Sequence, residues 1–230
     1  TSDGQSFSNN TGDLTITFPL AGNYTINIIG VFPRTFFNNS GDKLKLLQVT
    51  NWGIYGETTV DQSRAFRGCS NLTSIASLGL NSLVNGSYMF SNCNLTTLPL
   101  IMSLTNIELA FSMFLSNNIT VLPNSMGLPV ILNGSYMFRG NNILSLPSTM
   151  ILTSLTSASY MFYNNSLTDL PTLMQLPALT SGTLMFSGNT INTVRYTQLL
   201  VDLDQVNNNN NVVFHGGSSK YLAIAVQPRA

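Results

Sequence analysis

A chain of 230 residues, 43% of them hydrophobic, can bury a sizeable core, and one extended domain with caps suits it better than two globular ones. Only 8% of the residues are charged, and nine basic and nine acidic side chains cancel, so no basic stripe is available for nucleic acid. No apolar run approaches the roughly 20 residues that span a bilayer.

Solubility therefore rests on neutral polar groups, with 28 asparagines as the extreme case. Such a surface suits an extracellular, cell-surface or virion setting. The chain starts at Thr1 with no Met and no signal-like segment, which fits a processed or excised chain.

Residues 1–12 are rich in Ser, Asn and Gly and read as a loose arm. Leu14–Phe18 alternates apolar and polar, Gly22–Asn23 makes a turn, and Tyr24, Ile26 and Ile28 alternate again, so 14–31 reads as a β-hairpin. A loop over Phe32–Asp42 leads to a short strand over Leu44–Val49, and then to Trp52. Residues 1–60 thus form an arm and an N-terminal β cap that covers an open end.

Residues 61–195 are repeats. Phe66, Phe90, Phe114, Phe138, Phe162 and Phe186 are each 24 residues apart, and from the second onward each follows a methionine. Five residues after each later Phe comes Leu95, Ile119, Ile143, Leu167 or Ile191, and three further on comes Leu98, Leu122, Leu146, Leu170 or Val194. The first unit runs one residue late, with Leu72 and Ile75. A fixed period of this kind marks a solenoid. The Leu/Ile pair followed by proline reads as a strand of about four residues, ended where Pro cannot donate to a ladder. Met and Phe are adjacent and both apolar, so their segment is a turn, because neighbouring strand residues face opposite ways.

After Val194 the repeat fails, since Arg195 stands where proline is expected. Tyr196–Gln205 has helical spacing, Asn207–Asn211 is a loop, Val212–Phe214 a strand, Gly216–Ser219 a turn, and Tyr221–Val226 a helix or strand. Residues 196–230 are the C-terminal α/β cap.

The run Ala65-Phe66-Arg67-Gly68-Cys69-Ser70-Asn71-Leu72-Thr73-Ser74-Ile75 resembles the repeat core of BspA-like leucine-rich-repeat surface proteins. The S-Y-M-F units resemble the Met-Phe variant of bacterial surface lipoproteins and of phage and viral proteins. Lys45–Gly53, Tyr196–Leu200 and Gly216–Tyr221 fit the same group, so the likeness covers roughly residues 40–230. It implies an α+β fold: a leucine-rich-repeat-like right-handed solenoid of five to six 24-residue coils with short parallel strands and a cap at each end. Relatives continue into a further strand where this chain stops at Ala230, so either it is a fragment or a neighbouring subunit closes the end.

Three residues past each Phe stand Cys69, Cys93, Asn117, Asn141, Asn165 and Asn189. In leucine-rich repeats this Asn/Cys position bonds the turn backbone of its own and the next coil. Cys69 and Cys93 then sit on neighbouring coils, either as two free buried thiols or as a disulfide.

Catalytic patterns are missing. His215 is the only histidine, with no metal-binding or triad pattern around it, and no G-x-S-x-G, H-E-x-x-H or P-loop spacing occurs. Asp169, Asp202 and Asp204 do not form a glycosidase pair. No cofactor is implied. Tyr88, Tyr136 and Tyr160 read as structural stacking in preference to a binding stripe. The outward positions of the short strands are Ser74, Thr97, Val121, Ser145, Asp169 and Thr193, the concave row on which a solenoid recognises ligands. These features predict a non-enzymatic surface protein for adhesion or receptor binding, with a protein or glycan on a cell surface as partner. The second expectation is a structural subunit that binds copies of itself, forming a filament or decorating a virus particle through cap or donated-strand contacts.

Overall fold

A strand cannot send Met137 and Phe138 to one side, so the chain must turn where they meet the core. The computed structural model shows how. It describes residues 1–9, 14–30, 32, 34–53, 60–77, 80–172, 174–206, 212–215 and 217–222, in two compact units, Thr1–Pro33 and Arg34–Ala230.

In the second unit, equivalent residues of successive repeats lie beside one another. Parallel bridges link Asp61, Asn85, Leu109, Asn133, Ser157 and Ser181 in one unbroken series. The Met-Phe turn that follows divides its N–H groups by position. Gly86, Tyr88, Phe90 and Asn92 donate to Leu109, Phe111, Met113 and Leu115 of the following repeat, at 2.8–2.9 Å. Met89 and Ser91 donate locally, to Gly86 at 2.9 Å and Tyr88 at 3.1 Å. Two left-handed residues make this possible in each repeat. Arg64, Tyr88, Ser112, Tyr136, Tyr160 and Leu184 have φ of 53–62°, and the residues four further on are left-handed as well. Non-glycine residues are uncommon in that region, and each costs on the order of 1 kcal/mol or more. The inter-repeat hydrogen bonds and the buried rings hold them there.

The Met and Phe columns are fully buried. The Phe rings from Phe66 to Phe186 stack at 5.4–5.6 Å with planes within 10°. Each rung contributes about 2–3 kcal/mol by burial. The column ends on tilted rings: Phe37 lies 6.4 Å from Phe66 at 42°, and Phe214 lies 6.2 Å from Phe186 at 63°. Trp52 packs edge-on against Phe66 and donates its indole N–H to Ala76. A second buried methionine column, Met102, Met126, Met150 and Met174, also runs at the repeat period. The nine methionines of the chain are thereby all core residues.

Behind each Phe stands the Asn position. Asn141 donates through Nδ2 to Phe114 at 2.9 Å and Phe138 at 3.0 Å, and its Oδ1 accepts from the Ile119 N–H at 3.1 Å. Asn117, Asn165 and Asn189 repeat the pattern. The side chain therefore bonds its own repeat and the preceding one, not the next as expected. The Phe114, Phe138 and Phe162 carbonyls each accept from two asparagines, which uses both lone pairs.

Cys93 fills the same place with less. Its thiol donates to Phe66 at 3.2 Å and offers no amide oxygen. None is needed, because the one-residue shift of the first unit lets the Leu72 N–H reach Cys69 C=O at 2.9 Å. Both thiols are free and buried in this structure. Burial pushes the Cys69 thiol up to about 11 and the Cys93 thiol up to about 12, the latter with a contribution from neighbouring Cys69.

Among the described residues, the predicted strands at the Leu/Ile pairs form as a ladder only once. The first two strands, β1 (Gln48–Val49) and β2 (Ser74–Ile75), pair in parallel. A 3-10 turn, Lys43–Lys45, precedes β1 where strand was expected from residue 44. Elsewhere these segments carry one-way bonds, such as Asn118 N–H to Leu95 and Asn142 N–H to Ile119, and parallel pairing sits on the bridge column instead. The last repeat contains β3 (Ser181–Gly182); α1 (Thr193–Val206) and then β4 (Val213–Phe214) follow, and β4 pairs in parallel with β3. Asn192 caps α1, its Oδ1 accepting from the Val194 N–H at 2.9 Å. Gly182 is small because a Cβ there would strike the Phe214 ring. The loop expected at Asn207–Asn211 and most of Tyr221–Val226 lie outside the described residues.

The predicted hairpin over 14–31 is not formed as strands in the first unit. Its turn is present: Phe18 stacks on Tyr24 at 4.0 Å, and the Tyr24 hydroxyl donates to Leu20. Ser2 of the arm exchanges bonds with Thr25. Ile26, Ile28 and Ile29 stay exposed, so the alternating face buries little, and a lone hairpin without a buried face is marginal in water.

Two outcomes follow. Asn141→Ala orphans the Ile119 N–H and leaves two carbonyls half-satisfied, a loss of about 2–3 kcal/mol in urea unfolding, against about 1 kcal/mol for Cys93→Ala. Equal losses would contradict the zipper. Because folding raises both thiol pKa values, their stabilising effect is complete below the unfolded value near 9 and is lost as pH climbs toward 11–12. The urea midpoint should fall more steeply above pH 9 in the native chain than in the Cys69→Ala/Cys93→Ala variant.

Candidate functional site

A buried column fixes whatever stands beside it. Ile75, Leu98, Leu122, Leu146 and Leu170 point into the core, and Ser74, Thr97, Val121, Ser145 and Asp169 just before them are all exposed. The preceding residues Thr73, Thr96, Leu144 and Thr168 are exposed too, while Thr120 is half-buried. The result is a small-residue, hydroxyl-rich row. Thr193 does not continue it. That residue is half-buried and begins α1, with its carbonyl accepting from the Thr197 hydroxyl at 2.6 Å. At the same end Asp169 meets Arg195 Nε at 3.6 Å, an exposed pair of little energetic weight.

A second surface follows the tyrosine positions. The left-handed position that turns each repeat carries Tyr88, Tyr136 and Tyr160, and where it carries Ser112 the ring comes from the adjacent Phe111. The half-buried rings run on without a gap: Tyr88 to Phe111 at 5.2 Å, Phe111 to Tyr136 at 5.3 Å, and Tyr136 to Tyr160 at 4.8 Å. Tyr163 adds a flank at 5.4 Å from Tyr160. Arg67 lies 4.9 Å from the centre of Tyr88, with Arg64 at 5.6 Å, and Arg139 sits 5.2–5.6 Å from Tyr136, Tyr160 and Tyr163. Tyrosine stacking is as expected. The arginines were missed, although Arg67 and Arg139 are three periods apart.

Among the described residues no three His, Cys, Asp or Glu side chains converge. His215 is exposed, and its N–H reaches Gly182 at 3.4 Å. Asp202 accepts from Gln198. Among the described residues no helix is long and apolar enough to cross a membrane.

Comparison with curated proteins and with solved structures gives no match. The BspA-type leucine-rich repeat region matches residues 48–169 in six copies. That match begins at β1 and follows the columns as far as Phe162 and Asn165, over half of the chain, so the chain belongs to the BspA-type leucine-rich repeat family.

Proposed function

We propose that this protein is a non-enzymatic adhesion or receptor-binding module displayed on a cell surface or virion. In this reading the repeats are a right-handed solenoid of five to six coils, closed by an N-terminal β cap and a C-terminal α/β cap. Leucine-rich repeats mediate protein interactions, and the family is one of surface proteins. The observation that supports recognition is the exposed row Ser74, Thr97, Val121, Ser145 and Asp169, held on a buried leucine column. Small side chains on a stiff support leave room for a protein or glycan of the opposing surface. A neutral, asparagine-rich exterior suits an extracellular setting.

Thr97→Gln/Ser145→Gln puts bulk on the row without changing charge. Surface changes of this kind move stability by about 0.5 kcal/mol or less. Binding of labelled protein to intact cells should fall about tenfold while thermal stability holds. Unchanged cell binding would remove the row as the recognition surface.

Self-assembly is the second reading, supported by the exposed Ile26, Ile28 and Ile29 in a segment of strand-like alternation. A second copy is a natural partner for such a segment by strand addition. Light scattering should then rise with concentration and lose that rise in Ile26→Asp/Ile28→Asp. A monomer at every concentration excludes this reading.

A further inference from the structure

The tyrosine–arginine stripe has a use that its packing role leaves open. Its ring bodies are spent on one another, whereas its polar ends are not. No hydroxyl of Tyr88, Tyr136, Tyr160 or Tyr163 bonds within the protein among the described residues. The described ion pairs are Lys45–Asp42 and Arg195–Asp169, so no carboxylate pairs with Arg64, Arg67 or Arg139. Arg67 has one long bond, to Asn38 at 3.5 Å, and a buried Nε with no partner. In a chain of zero net charge, three unpaired guanidinium groups over one aromatic series are a local concentration of anion-binding donors.

We propose that this stripe binds an acidic polysaccharide along the repeat direction. Three features select that ligand. Arg64 and Arg139, held 5.2–5.6 Å from ring centres and paired with no carboxylate among the described residues, keep N–H groups for carboxylate or sulfate, which guanidinium binds bidentately. Tyrosine hydroxyls between them supply donors and acceptors for sugar hydroxyls. The ring steps of 4.8–5.3 Å are close to the length of one pyranose unit. An extended peptide, rising about 3.3 Å per residue, does not keep this step. Single-stranded nucleic acid needs open ring faces for its bases, whereas these rings are half-buried and packed against one another. The stripe uses different positions from the hydroxyl row and does not depend on it.

Native gels containing dextran sulfate, polygalacturonate or neutral dextran test the proposal directly. The full chain should be retarded by at least one of the two acidic polymers and not by neutral dextran. Retardation by polygalacturonate assigns uronates, and retardation by dextran sulfate alone assigns sulfate esters; both support the stripe. Arg139→Gln and the more exposed Arg64→Gln should each weaken binding about tenfold, the scale of one charge-assisted hydrogen bond. Lys220→Gln, a charge control with no ring contact among the described residues, should leave it unchanged. No retardation overturns the proposal. So does an equal loss in Lys220→Gln, or competition by poly-glutamate or oligo(dT) as strong as by the polysaccharide. Loss of cell binding by row variants with polysaccharide binding intact shows that the two surfaces fail separately.

Discussion

The carbonyl behind each core phenylalanine is the group on which the repeats depend. It is buried, it carries two lone pairs, and leaving it unpaired costs free energy. Asparagine answers this by reaching two carbonyls at once, its own repeat's and the previous one's, while its oxygen takes an N–H from the neighbouring segment. One side chain thus joins three backbone groups across two repeats. Phe stacking adds hydrophobic stabilisation at every rung but has no directional preference for register. The amide–carbonyl series supplies register, because it works only when successive repeats align residue for residue.

The Met-Phe turn depends on the same alignment. Tyrosine, arginine and leucine in left-handed backbone are strained individually, and they persist because alternate N–H groups find carbonyls in the next repeat. The consequence for function is indirect but definite. A left-handed residue projects its side chain out of the turn, so the position that shapes the coil also faces the surface. That is why Tyr88, Tyr136 and Tyr160 form an outer series instead of joining the core. Scaffold strain and surface composition are two results of one backbone geometry.

Much of the interior was legible in the chain alone. The Phe period, the burial of the Met partners, the Asn position and a helix over Tyr196–Gln205, which the structure begins earlier at Thr193, follow from periodicity, a local property. The second methionine column was present at the same period but lay in the segment after proline, where no strand or helix pattern drew notice. Three of the expectations that failed did so for different reasons. The hairpin at 14–31 has alternation without a buried face. The Leu/Ile strands have the right burial, but backbone pairing moved to the bridge column at Asn85, Leu109 and Asn133. Thr193 stands at the row's period, yet the Asn192 cap turns the chain into α1 there.

The sequence by itself determined the family, the 24-residue period and most of the buried columns, because a repeat writes its core into every copy, although Val194, at the period of Leu170, is exposed on α1. Cys93 shows where that ends. Its thiol can stand in for asparagine only because one extra residue upstream redirects the Leu72 N–H, a compensation visible once both backbones are placed. Arg139 over three tyrosine rings is the same kind of fact. Neighbours across repeats are 24 positions apart in the chain and meet according to the sign of φ and the direction of each side chain. Letters and spacing do not carry those quantities, so the outer surface was decided by tertiary structure.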